Sequence, residues 1–266
     1  MCDYSEVVKN CRKLERAGAK LFPIGKSLQG KDLLCLRMGC GKKTIIIIGS
    51  VHAREHATAT LVLMQAEYAL ARVKKGEGTL YFLPCANPDG ADIACGKQPP
   101  PAVYKGDARL YKANARGVDL NVNFDAGWGE GIKNVFYPGG ENYVGKSPFS
   151  EPETQAIRDF TLSVLPDFTV SYHLKGREIY YDFRCDAETS EKYRETAEKA
   201  NRKLRYKIVP DSGTSAGGYK DWCIQKLKIP ALTIEIGKDE LTHPVSEKNL
   251  TEDYARNLDL PLIMLR

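Results

Sequence analysis

The residues that could do chemistry begin in residues 43–55, KTIIIIGSVHARE. His52 and Glu55 stand three apart, just past a run of four isoleucines. A histidine and a carboxylate at that spacing could share one metal ion. Zinc in a catalytic site takes three protein ligands, commonly two His and one Glu, and leaves a fourth position for water. The chain has four histidines, and His173 follows another apolar run, so His52, Glu55 and His173 can supply that set. Zinc so held would make hydroxide available near neutral pH. Glu235 interrupts the apolar stretch PALTIEIG. A carboxylate there is costly unless paired or functional, and it is a candidate general base. A salt-bridged or sheet-edge Glu235 is the competing reading.

A rival reading uses the same residues. His52-Ala-Arg-Glu55-His56 fits the pattern H-x-x-E-H, in which both histidines bind zinc from one helix and Glu55 is the base. That arrangement needs His52 inside a helix. Gly49 and Ser50 instead put it at a junction between strand and helix.

The elements that must position these residues follow from periodicity. The β-branched run at 44–50 reads as a strand buried on both faces, and open α/β sheets bind ligands at the C-terminal ends of such strands. Residues 4–18 read as a helix. Residues 21–24 and 31–38 read as a hairpin around GKSLQG. A helix is expected over 56–74 and a strand over 79–85, closed by a turn at Asn87-Pro88-Asp89-Gly90. Residues 91–150 lose the pattern, with prolines at 99–101 and many glycines, as functional loops do. Further helices are expected over 151–165, with Ser150 as N-cap, and over 186–205, 217–228 and 246–265. Further strands are expected over 166–172, 178–183, 207–209 and 230–236. The alternation of strand and helix predicts an α/β fold: one domain over 1–266, with a central mixed, mostly parallel sheet and helices on both faces.

Composition narrows the classes. At 266 residues, 42% hydrophobic and 27% charged, the chain suits a soluble globular protein with a large core. The net charge is +5, but Lys and Arg are dispersed, so no nucleic-acid partner is expected. The longest pure aliphatic run, residues 45–48, is far too short for a membrane span. The start, MCDYSEVVKNCRKLERAG, lacks the apolar core of a signal peptide. The eight cysteines, Cys2 among them, contain no C-x-x-C pair and read as reduced thiols in a cytoplasmic protein. No obligatory protein partner is visible.

His52-x-x-Glu55, His173 and Glu235, taken with Asn87-Pro88-Asp89-Gly90, the segment KANARGVDLNVNF at 112–124, Ser150-Glu-Pro-Glu153 and GGYKDW at 217–222, resemble the zinc metallocarboxypeptidases of the pancreatic type. The resemblance covers nearly the whole chain. It implies one zinc per chain on His52, Glu55 and His173, with Glu235 as general acid/base. It also implies that Arg54 contacts the substrate backbone and that Asn121 binds a substrate carboxylate. Arg116 is the implied oxyanion stabiliser, with Lys112 the competing candidate. Two positions depart from the family. Its Asn-Arg clamp on the terminal carboxylate is Asn121-Val122 here, and Gly213 stands where the digestive enzymes place a tyrosine. Valine makes no charged bidentate contact.

KANARGVDLN, YHLKGREIYY and TIEIGKDELTHP look most like the bacterial branch, whose members cleave γ-D-glutamyl–diamino acid bonds in peptidoglycan peptides. The resemblance therefore implies a small, cell-wall-derived peptide substrate, with Lys175 and Arg177 as candidate contacts to its charged groups. Two alternatives stay open: a carboxypeptidase or acyl-amino-acid deacylase of other small substrates, and a catalytically silent zinc- or peptide-binding protein.

Overall fold

Isoleucines 45–48 form most of β3 (Thr44–Ile48), and each is at most 1% exposed. A strand buried on both faces must lie inside a sheet, and β3 is central. The computed structural model describes residues 3–266, so Cys2 lies outside the described residues. Its sheet has eight strands in the order β1-β2-β4-β3-β5-β8-β6-β7. These are β1 (Lys20–Lys26), β2 (Asp32–Gly39), β3, β4 (Thr79–Leu83), β5 (Phe168–Leu174), β6 (Glu178–Tyr180), β7 (Lys207–Val209) and β8 (Ala231–Ile236). The centre, β4-β3-β5-β8, is parallel throughout. The hairpin β1–β2 adds antiparallel to β4, and β6 adds antiparallel to β8.

From β3 the chain crosses to β4 on one side, and from β5 to β8 on the other. The strand order therefore reverses between β3 and β5. A crevice opens at such a switch point, outside the C-terminal strand ends. His52, His173 and Glu235 all come from the ends of these central strands.

Helices α1 (Tyr4–Arg16), α2 (Ala57–Leu70), α4 (Pro152–Val164) and α5 (Ala187–Leu204) fall where periodicity places them. Four details differ. The Asn87-Pro88-Asp89-Gly90 turn starts a helix, α3 (Pro88–Ala94), whose first turn is capped as the Asn87 side chain accepts from Gly90 N–H. Glu151, not Ser150, holds the N-cap position of α4, because Pro152 is the first helical residue. The segment expected as one closing helix is broken. A 3₁₀ turn precedes α7 (Thr251–Asn257), and α8 (Leu260–Leu265) restarts at Asp259, where Pro261 has no N–H to continue the earlier ladder. The expected helix over 217–228 is likewise a single turn, α6 (Tyr219–Trp222), followed by a wider π-type turn.

One apolar cluster runs through the sheet from Val7 to Leu265. Among the described residues no helix is long and apolar enough to cross a membrane.

Candidate active site

After β3 the chain leaves the sheet sharply. Ser50 has φ 49°, is fully buried, and has its N–H held by Thr58 Oγ1. Its carbonyl accepts from Asn87 N–H, so the α3 cap also pins this turn. His52 is extended, a single 3₁₀ turn (Ala53–Glu55) follows, and α2 begins only at Ala57. His52 therefore lies outside the helix, and the H-x-x-E-H arrangement does not form. The short turn folds Glu55 back beneath His52, with Nδ1 2.8 Å from Oε1.

His173, on β5, closes the group. Its Nδ1 lies 3.1 Å from Glu55 Oε2 and 3.1 Å from His52 Nδ1. All three side chains are buried, and their ligand atoms lie within 4.8 Å of one another. Two imidazole nitrogens and a carboxylate facing one point out of water can hold a metal cation between them. The electrostatics agree. Burial opposes a charge on His52, yet Glu55 and Asp119 override it and push its pKa up to about 9. Burial also opposes ionisation of Glu55 and Asp119, but His52 holds Glu55, and Lys112 with His52 holds Asp119, well below the usual carboxylate range. His52 Nε2 lies 3.3 Å from Asp119 Oδ1, so a carboxylate fixes the far side of the ring, as is common behind metal-bound histidines. The donor set, its burial and this second carboxylate fit a zinc ion.

Glu235 is held beside this group by register. On parallel strands β5 and β8, His173 and Glu235 are direct partners, so their side chains leave the same face. Glu235 lines a cleft of about 400 Å³, and its Oε2 is buried without a hydrogen-bond partner. Burial, and then the charge of Glu55, push its pKa up to about 8.

The remaining sequence candidates divide. Lys112 is largely buried, paired with Asp119 Oδ2 at 2.8 Å and bonded to Asn142 Oδ1 at 2.6 Å. Through Asp119 it is one residue removed from His52. Arg116 instead points to Glu151, at 3.4 Å, and borders neither Glu235 nor the His–Glu–His group. Lys112, rather than Arg116, is therefore the cation tied to the His52 side of the site. Arg54 borders a second recess of about 190 Å³ with Lys112 and is paired with Glu141 at 2.8 Å. Asn121 lines the Glu235 cleft.

Lys175 and Arg177 do not line it. Lys175 bonds to the Asp239 carbonyl and pairs with its carboxylate. Arg177 makes a bidentate pair with buried Asp253, at 2.9 and 3.0 Å, and a third contact to Glu252. Its guanidinium is engaged with the acids of α7, away from the Glu235 cleft. Sequence reasoning gave no role to Asp119. The signal available was a lone acid between the apolar residues Val118 and Leu120.

A mixed eight-stranded α/β sheet presents a buried His–Glu–His group at its switch point, the donor set of a catalytic zinc site. Residues 6–258 match the zinc carboxypeptidase family, peptidase M14, and the chain belongs to it. It is a zinc metallopeptidase, a hydrolase acting on peptide bonds. Among its relatives, γ-D-glutamyl-L-diamino acid endopeptidase 1 of Lysinibacillus sphaericus is 31% identical over 271 residues, covering 92% of this chain and 68% of that one. Human carboxypeptidase A6 is 27% identical over 228 residues, covering 76% and 51%. The fold is that of bovine thrombin-activatable fibrinolysis inhibitor (TM-score 0.81, 22% identity, 99% and 95% covered). It is also similar to murein-tripeptide amidase MpaA of Escherichia coli O157 (TM-score 0.62, 22% identity, 92% and 91% covered).

Proposed function

We propose that this peptidase hydrolyses the γ-D-glutamyl–diaminopimelate bond of small peptidoglycan peptides, with His52, Glu55 and His173 as its zinc ligands. The observation that carries the reading is that these three donors converge beside Glu235, whose orphaned carboxylate oxygen lines the adjoining cleft, while residue 122 offers no guanidinium for an ordinary C-terminal carboxylate. The relative from Lysinibacillus sphaericus, named for a γ-D-glutamyl-L-diamino acid substrate, supports the choice of bond.

Zinc bound there supplies Lewis acidity to water and to the scissile carbonyl. Glu235 takes the proton of the attacking water and later delivers it to the leaving amine nitrogen. A carboxylate whose pKa is drawn toward neutrality suits both transfers. Lys112 faces the negative charge that develops on the carbonyl oxygen. Asn121 hydrogen-bonds the leaving residue, and Arg54 the acyl side. Asp119 acts through His52 and Lys112, holding the orientation of both.

Metal analysis together with turnover of γ-D-glutamyl-diaminopimelate peptide, set against a C-terminally blocked ordinary peptide, tests the reading. One zinc per chain with turnover of the former is expected. Zinc present with turnover only of ordinary peptides rejects the cell-wall substrate, and absence of both zinc and turnover rejects the site.

A further inference from the structure

The missing arginine at position 122 poses a physical question. A cleft that receives an amino-acid leaving group beside Glu235 also receives that group's carboxylate, and a desolvated carboxylate needs a cation. Val122 is buried and carries none. The chain brings a different one to the same place.

Residues 217–218 are laced to residues 121–126. Phe124 N–H donates to Gly217 O at 2.9 Å, and Gly217 N–H donates to Ala126 O at 2.7 Å. Gly217 has φ 88°, and a Cβ there would meet the Val122 carbonyl oxygen at 2.9 Å, so only glycine allows this approach. A Cβ on Gly218 would lie 3.2 Å from Asn121 Oδ1. Two residues on, Lys220 lines the cleft that also contains Asn121 and Glu235. Lys220 is 9% exposed. Its Nζ pairs with Asp221 Oδ1 at 2.6 Å and donates to the Asp182 carbonyl at 2.6 Å. An ammonium has three N–H donors, so these two contacts, with the Phe183 ring 5.6 Å away, do not exhaust it. The neighbouring acids are committed: Asp221 Oδ2 accepts from Gly218 N–H, and the Asp182 carboxylate accepts from Asp211 N–H and Ser190 Oγ. The other lysine of the cleft, Lys207, is 72% exposed and paired with Glu178 at the rim.

We propose that Lys220 binds a carboxylate of the leaving residue, supplying from the adjoining segment the cation that position 122 lacks. The inference rests on the proposed substrate, because it assumes that the cleft takes a diamino acid leaving group. The ligand is an ionised carboxylate with two possible sources. One is the α-carboxylate next to the scissile nitrogen. The other is the second carboxylate of a dicarboxylic diamino acid, which a lysine leaving group lacks.

The zinc-loaded protein is assayed with γ-D-glutamyl-diaminopimelate, with its α-carboxamide and with its side-chain carboxamide. Amidating the recognised carboxylate lowers kcat/KM by about 10- to 100-fold, the loss of one charged hydrogen bond, chiefly through KM. Whichever amide shows the loss identifies the source. Lys220→Met narrows the gap between acid and amide, and Lys220→Arg preserves it. No preference in the wild-type protein, or a preference that survives Lys220→Met, overturns the proposal. The wild-type comparison stands even where the methionine variant fails to fold. Calorimetric binding of free diaminopimelate to the metal-free protein gives a readout without turnover. Affinity falls about tenfold or more in Lys220→Met, and equal affinity overturns the proposal. Should none of the peptides be hydrolysed, the substrate reading falls, while this binding comparison still decides the role of Lys220.

Discussion

At the scale of single residues, the site separates groups that hold the metal from groups that move protons. Of His52, Glu55 and His173 only Glu55 carries a negative charge, so Glu55→Gln is expected to lower the zinc content measured per chain. Glu235 stands beside the group, in register with His173, and is not one of its three donors. Glu235→Gln is therefore expected to keep zinc while kcat falls by about 10²–10⁴-fold, the range for a lost general acid/base. Loss of zinc in that variant would mean the base is misassigned. Lys112 and Arg116 make the sharpest pair. Lys112→Ala is expected to lower kcat by about 10²-fold or more, whereas Arg116→Ala leaves kcat within a few-fold, because its guanidinium reaches only Glu151. The sequence could present both cations in KANARG but could not choose between them. The choice depends on which acid each one finds, Asp119 or Glu151, and those partners are set by how the loop folds.

At the scale of elements, charges that look suited to substrate turn out to tie the fold together. Arg177, just before β6, reaches across to α7 and makes its bidentate pair with Asp253, which has no solvent exposure. Arg177→Ala leaves that carboxylate buried without its guanidinium. It is expected to cost about 3 kcal/mol in urea unfolding and to leave KM unchanged. At the start of α1, Asp3 caps the helix by accepting from Glu6 N–H. The Ser5 hydroxyl and then, against burial, the Glu6 N–H hold its carboxyl down at about 2, from an ordinary 3.8. A depressed native pKa stabilises the fold above the unfolded value and loses that contribution as pH falls through the native one. Asp3→Ala is therefore expected to cost about 1 kcal/mol at pH 7, with the difference from wild type shrinking between pH 4 and pH 2. A constant difference across that range would show that the charge is not what matters.

At the scale of the whole molecule, the parallel centre of the sheet carries both stability and site. Ile47 is buried on β3 between β4 and β5. Ile47→Ala is expected to cost about 2–5 kcal/mol. The variant should loosen the strand that delivers His52, so weaker zinc binding accompanies the lower melting temperature. Metal binds the folded arrangement of His52, Glu55 and His173, which residues so far apart in sequence do not form when unfolded. Chelation is thus expected to lower the melting temperature as well as remove activity. With zinc at about 1,000 times its dissociation constant, the linkage is worth about 4 kcal/mol, or roughly 10 °C for a chain of this size. A chelator that abolished turnover without moving the melting temperature would place the essential metal outside the folded core.

The primary structure by itself determined the parts whose meaning is local. The isoleucine run, the spacing of His52 and Glu55, and the lone Glu235 in an apolar strand each carry a short-range pattern that chemistry can interpret. Strand and helix alternation was enough for the α/β class. Only the tertiary structure decided what depends on distant partners. Strand order set His173 against Glu235 and opened the crevice between β3 and β5. The extended conformation of His52 excluded the helical metal motif. Distant acids engaged Arg116 and Arg177, and the lacing of residues 217–218 to 121–126 put Lys220 in one cleft with Asn121 and Glu235. A charge's role follows from what lies within a few ångströms of it. For these residues that neighbourhood is assembled from segments far apart along the chain.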